Sequence, residues 1–285
     1  MAAGACADFD PWEFISKKKP MSPAIPLLSV LTMAATGSEM DNGGVITNPE
    51  TKEKLSSGHE DTRSKVSFLN PEITYSVNEF QTACGSSDIL SHIFESYFNV
   101  DDSMFMLDRI MESLMKTVIK YGPIAMKDPK NYEARANLMW ASSWAINDFI
   151  ANSAKASWTV HPIEHELSAF YDITHGLGLA ILTPRWMEYV LSEKTVHKFY
   201  DLGGNVFDID KNLDKMEVAK KAIEKTKEFF FDTLGLDSNL RKINIDDEYF
   251  DKMSKKACGK NGKINGFVEL KPEDVKKIYQ MCLED

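Results

Sequence analysis

Three of the chain's six histidines fall within residues 161–175, in the run His161-Pro-Ile-Glu-His165-Glu-Leu-Ser-Ala-Phe-Tyr-Asp-Ile-Thr-His175. His161 and His165 are four residues apart and would share one face of a helix. His175 follows Asp172 and Thr174, which can start a new helix, and Gly176 makes that turn pliable. Upstream, Gly85-Ser-Ser-Asp88-Ile-Leu-Ser-His92 repeats the four-residue spacing with a carboxylate and an imidazole. Two helices facing each other with these pairs would surround one divalent ion with nitrogen and oxygen donors. A single buried histidine is more often a core residue than a ligand, but the combined pattern favours a metal. Asp/His donors without cysteine suit zinc, ferrous iron or another first-row ion rather than calcium or an iron–sulfur cluster.

The elements that must position these residues can be read from periodicity. Residues 79–98 read as the helix carrying Asp88 and His92. Residues 103–121 place Leu107, Ile110, Met111, Leu114, Val118 and Tyr121 at helical spacing, with Gly122-Pro123 as the stop. Residues 131–151, with Trp140, Trp144 and Phe149, read as a buried helix. Residues 176–192 resume a helix interrupted at Thr183-Pro184. Residues 213–234 form an amphipathic helix ending at Gly235; another runs from Asp247 to near Gly259, and Pro272 opens the last. Before residue 78 the texture differs. Residues 1–20 read as a short helix and loop in which Lys17–Lys19 form a solvated face. Ile25–Leu31 reads as a buried strand, Val45–Asn48 and Ser67–Leu69 as further strands, and Glu50–Leu55 as a polar turn. The expected fold class is therefore a small α/β part over 1–77 followed by an all-α part over 78–285.

At 285 residues with 43% hydrophobic content, the chain can bury a substantial core. A net charge of −10 and a pI near 5.2 argue against nucleic-acid or anionic-membrane partners and leave small-molecule chemistry. Cys6, Cys84, Cys258 and Cys282 show no CxxC pairing, as reduced thiols would not. The first ten residues lack a basic, apolar leader, and the run Ala24–Ala35 is broken by Pro26 and is too short to span a bilayer. A soluble, cytoplasmic protein is expected.

Ala35-Thr-Gly-Ser-Glu39, the Asp88/His92 segment and the 161–175 segment together resemble three motifs of the iron-containing (group III) alcohol dehydrogenases, most closely the butanol dehydrogenase-like members. The resemblance runs over nearly the whole chain. It implies a dehydroquinate synthase-like architecture, hydride transfer between NAD(P)H and a metal-held alcohol or aldehyde, and a homodimer. It places the divalent metal, Fe2+ or Zn2+, on Asp88, His92, His161 and His175. The family's additional histidine near the nicotinamide falls on His165, which could relay the alcohol proton. Cofactor contacts fall on Thr32, Thr36, Gly37, Ser38, Asp41, Gly43 and Lys54, and Trp158 and Phe149 are candidates for the substrate pocket. The family's Gly-Gly-Gly-Ser phosphate turn has no counterpart here, where the only Gly-Gly pairs are Gly43-Gly44 and Gly203-Gly204. The expectation is a chain that begins just after that turn and is shorter by roughly 100 residues, about one small domain. Two other readings stay open at this level: a helical metallohydrolase using a metal-activated water, and a metal-binding fragment without catalysis.

Overall fold

The computed structural model describes residues 1–20, 23–99, 103–151 and 158–284. The chain begins with a short helix, α1 (Trp12–Ile15), and then forms four strands. β1 (Leu28–Val30) pairs in parallel with β4 (Val66–Phe68), whereas β2 (Gly43–Asn48) and β3 (Glu53–Gly58) make an antiparallel hairpin. β1 is a strand as expected, but Leu28, Val30, Val66 and Phe68 are all exposed, so it is not a buried one. Lys54 and Leu55, read as part of a turn, lie in β3, and the turn is confined to the residues between the strands.

Helices follow: α2 (Glu79–Tyr97), α3 (Phe105–Lys127), α4 (Tyr132–Ile146), α5 (Asp148–Ala151), α6 (Val160–Tyr171), α7 (His175–Val190), α8 (Val196–Val206), α9 (Lys215–Lys227), α10 (Phe250–Ala257) and α11 (Pro272–Met281). Fold class thus stands as α/β strands followed by an all-α portion. α2 is the central helix. Asn78 caps its first turn through Gln81 N, and every residue from Thr82 to Tyr97 is buried, packed by α3, α4, α6 and α7. No helix among the described residues is long and apolar enough to cross a membrane.

Two proline stops are overridden. α3 runs through Gly122-Pro123, and α7 runs through Pro184. A proline inside a helix costs about 3 kcal/mol. Here the turns on either side are held by packing: Val118 and Ala125 flank Pro123, and Leu179, Ala180, Ile181 and Leu182 precede Pro184, all without exposure. Burial of several such side chains at about 1.5–3 kcal/mol each outweighs the lost bond. The 131–151 segment is also not uniformly buried. Ala134, Leu138, Ala141 and Ala145 face inward, while Trp140 and Phe149 are exposed. The helix expected over 213–234 gives way after Lys227 to a π turn over Glu228–Thr233, and the one expected from Asp247 begins at Phe250.

Candidate metal centre

Asp88, His92 and Glu95 lie at i, i+4 and i+7 on α2, so one buried face carries all three. α6 brings His161, Glu164, His165 and Ser168 at i, i+3, i+4 and i+7. α6 ends at Asp172 in the left-handed conformation (φ 54°), and Thr174 precedes the first residue of α7, which is His175. This reversal turns His175 back toward His161. Two glycines allow the close approach: a Cβ on Gly176 would stand 2.1 Å from the Cys84 carbonyl oxygen of α2, and one on Gly85 would stand 2.5 Å from the Ala34 carbonyl oxygen.

The four expected ligands meet. Asp88 Oδ1 lies 3.7 Å from His92 Nε2, 3.8 Å from His161 Nε2 and 3.7 Å from His175 Nε2. These separations are too long for hydrogen bonds. They approach the ~3.4 Å between donors that share a tetrahedral ion with bonds near 2.1 Å. Asp88 Oδ1 and His161 Nε2 are buried and have no hydrogen-bond partner among the described residues. Buried polar atoms are normally paired, so oxygen and nitrogen lone pairs facing a common point fit a cation held between them.

Two carboxylates orient the imidazoles from behind. Glu95 Oε1 lies 3.0 Å from His161 Nδ1 and also accepts the His161 backbone N–H, while its Oε2 accepts the N–H of Thr159. Glu164, fully buried, contacts His175 Nδ1 and accepts the Ser168 hydroxyl. Carboxylates bound to Nδ1 keep the proton there and leave Nε2 free to ligate. Sequence reading missed both, although helical spacing from His92 and His161 marks their positions.

Burial would raise the Asp88 carboxyl, but the surrounding imidazoles outweigh it and hold it low. Burial pushes His92 down to about 3 and His165 down to about 3, so both are neutral. Burial also works against a charge on His161, yet Asp88 and Glu95 raise it to about 9. For Glu164, burial favours the neutral form and is overcome by His175, Lys54 and Ser168, which bring it to about 2.

A cavity of about 1330 Å³ opens over the cluster. Of the expected cofactor residues, Thr36, Ser38, Asp41, Gly43 and Lys54 line it, as do His92, His161, His165 and His175. Thr32 and Gly37 are not among its lining residues; Gly37, at φ 62°, instead makes the turn that packs against Ser142 and Ile146. From β3 the Lys54 ammonium also reaches Glu164 Oε2 at 3.3 Å. Trp158 lines the cavity and meets His92 and His161 edge-on, at 5.9 and 4.9 Å between ring centres. Phe149 does not line it.

Glu166 also faces the cavity. Burial pushes its carboxyl up to about 7, only partly offset by Lys256 at 3.3 Å. An acid whose folded pKa exceeds its unfolded value binds more protons when folded, so it costs stability as pH rises from about 4.5 through 7. Glu166→Gln should therefore raise the melting temperature at about pH 8, by the equivalent of roughly 1–3 kcal/mol, and change little near pH 4.5. Equal melting of variant and parent at both pH values would contradict this.

The sequence profile described as the Fe-containing alcohol dehydrogenase family, C-terminal, matches residues 82–283, and that of the iron-containing alcohol dehydrogenases matches residues 1–71. NADH-dependent butanol dehydrogenase A of Clostridium acetobutylicum is 48% identical over 281 residues, covering 98% of this chain and 72% of that protein. The NADPH-dependent aldehyde reductase YqhD of Escherichia coli is 32% identical over 90% of this chain and 65% of its own length. The crystal structure of NADH-dependent butanol dehydrogenase A from Thermotoga maritima superposes with a TM-score of 0.92 at 33% identity, over 99% of this chain and 72% of that one.

Proposed function

The chain belongs to the iron-containing alcohol dehydrogenase family, and from that premise we propose that Asp88, His92, His161 and His175 hold one divalent cation, Fe2+ or Zn2+, beneath a cavity that takes NAD(P)H. The protein is a metal-dependent, NAD(P)H-linked alcohol dehydrogenase and aldehyde reductase. The observation that carries the site assignment is the convergence of three Nε2 atoms on Asp88 Oδ1 at 3.7–3.8 Å. When bound, the cation polarises the substrate oxygen and the nicotinamide gives or takes the hydride.

The chain's own residues prepare that chemistry. Glu95 and Glu164 hold the protons of His161 and His175 on Nδ1 and fix the ring planes. Thr36, Ser38 and Asp41 offer hydroxyl and carboxylate groups to the cofactor from one wall. Trp158 sets its ring edge-on against His92 and His161 at the cavity wall and offers an apolar surface beside them. His165, neutral in its buried setting, accepts the alcohol proton at one nitrogen as it releases another from the second.

Small alcohols and aldehydes are the substrates, as the relatives' names support. On the family resemblance we also propose a homodimer, a boundary between residues 77 and 78 separating the cofactor part from the metal part, and a cytoplasmic location, which four free cysteines suit. A metallohydrolase and a non-catalytic fragment are not favoured, because dehydrogenase and reductase relatives match 98% and 90% of this chain. Loading the protein with Fe2+ or Zn2+ and following aldehyde-dependent oxidation of NADH and of NADPH tests the reading. Metal uptake without oxidation of either nicotinamide would refute it.

A further inference from the structure

His175 stands between two carboxyl groups. Its Nε2 faces Asp88, where the open spacings accommodate a cation, and its Nδ1 faces Glu164. The Glu164 side already contains one positive group: the Lys54 ammonium lies 3.3 Å from Glu164 Oε2 and 3.3 Å from His175 Nδ1. Glu164, His165 and His175 each bring one ligand atom to within 4.8 Å of the others. One carboxylate and two imidazoles form a donor set that holds zinc or ferrous iron elsewhere. Glu164 has no exposure at all, so its charge requires a counter-ion in place. Lys54 is carried there by β3, which packs on α6, and its side chain is itself mostly buried.

Resting on the metal reading of the Asp88 cluster, we propose that Glu164, His165 and His175 form a second cation site, that the Lys54 ammonium fills it, and that Lys54 thereby keeps the centre at one metal ion. The two sites share His175, one at each ring nitrogen. Filling both with divalent ions would make that ring a bridging imidazolate and release its remaining proton to the buffer. A lysine balances Glu164 with a single charge and leaves that proton in place. Removing the ammonium should open the second site to a divalent ion.

Zinc content after loading and gel filtration tests this, measured on the wild type, Lys54→Ala, Lys54→Met and Lys54→Ala/His165→Ala. The wild type should retain one zinc per chain, Lys54→Ala and Lys54→Met two, and the double variant one again. Lys54→Met keeps the aliphatic stem in the hairpin, so the comparison survives if the alanine variant does not fold. One zinc in both the wild type and the folded Lys54 variants would overturn this inference and leave the metal reading intact. Two in the wild type would also overturn it, since the ammonium would then exclude nothing. A wild type that retains no zinc would overturn the metal reading and this inference with it.

Discussion

Asp88→Asn should lose its metal ion and about three orders of magnitude in kcat/KM for aldehyde reduction, the equivalent of several kcal/mol of transition-state stabilisation. Asp88 is the one carboxylate among the four proposed ligands, and its Oδ1 is the point to which all three imidazoles converge. Asparagine fills the same volume on the fully buried face of α2, so the helix packing has no cavity to absorb. The charge disappears while the shape remains. Metal analysis, steady-state kinetics with added Zn2+ or Fe2+, and circular dichroism on the same preparation separate loss of the ion from loss of the fold. A folded variant with a full complement of metal and activity within tenfold of the parent would show that the four side chains do not share an ion.

Glu95→Gln should weaken metal binding by about 10–100-fold, as changes behind a ligating histidine commonly do. Glu95 performs two tasks at once. It holds His161 Nδ1 at 3.0 Å, and it accepts the backbone N–H groups of Thr159 and His161 at the start of α6, at 2.7 and 2.8 Å. Glutamine replaces one acceptor oxygen with a donor that faces other donors, so one of these contacts must break. Loss of the helix cap alone is worth about 1 kcal/mol. Competition with a chelator measures the affinity, and excess metal should recover most of the lost activity, which separates this variant from Asp88→Asn. Unchanged affinity would mean that Glu95 only caps the helix.

The two halves of the proposed metal centre were legible at different distances along the chain. Asp88 with His92, and His161 with His165, are four-residue pairs, and helical geometry alone puts each pair on one face. Glu95 and Glu164 sit at the same helical spacings, but an acidic residue on a helix is usually solvated, so nothing local set them apart. The overridden prolines show the converse. Pro123 and Pro184 carry a correct local signal, and the packing of their fully buried neighbours reverses its effect. Trp140 and Phe149 were read within one buried helix, yet Ala134, Leu138, Ala141 and Ala145 fill the inner side of α4 and leave Trp140 outside, and Phe149 is exposed on the separate short helix α5. Lys54 was read as a cofactor contact within a polar turn; it lies in β3, lines the cavity, and also reaches Glu164, 110 residues away.

By itself the sequence determined the residue types of the candidate site, their pairing on helix faces and the resemblance to the family, because each depends on neighbours a few residues apart. Only the tertiary structure decided that His175, turned back by the left-handed Asp172, meets Asp88 across 87 positions, that Glu95 and Glu164 stand behind the imidazoles, and that burial moves His92, His165 and Glu166 far from their usual proton affinities. Those outcomes depend on which surfaces are brought into contact and how much water is excluded between them, quantities that no local spacing contains.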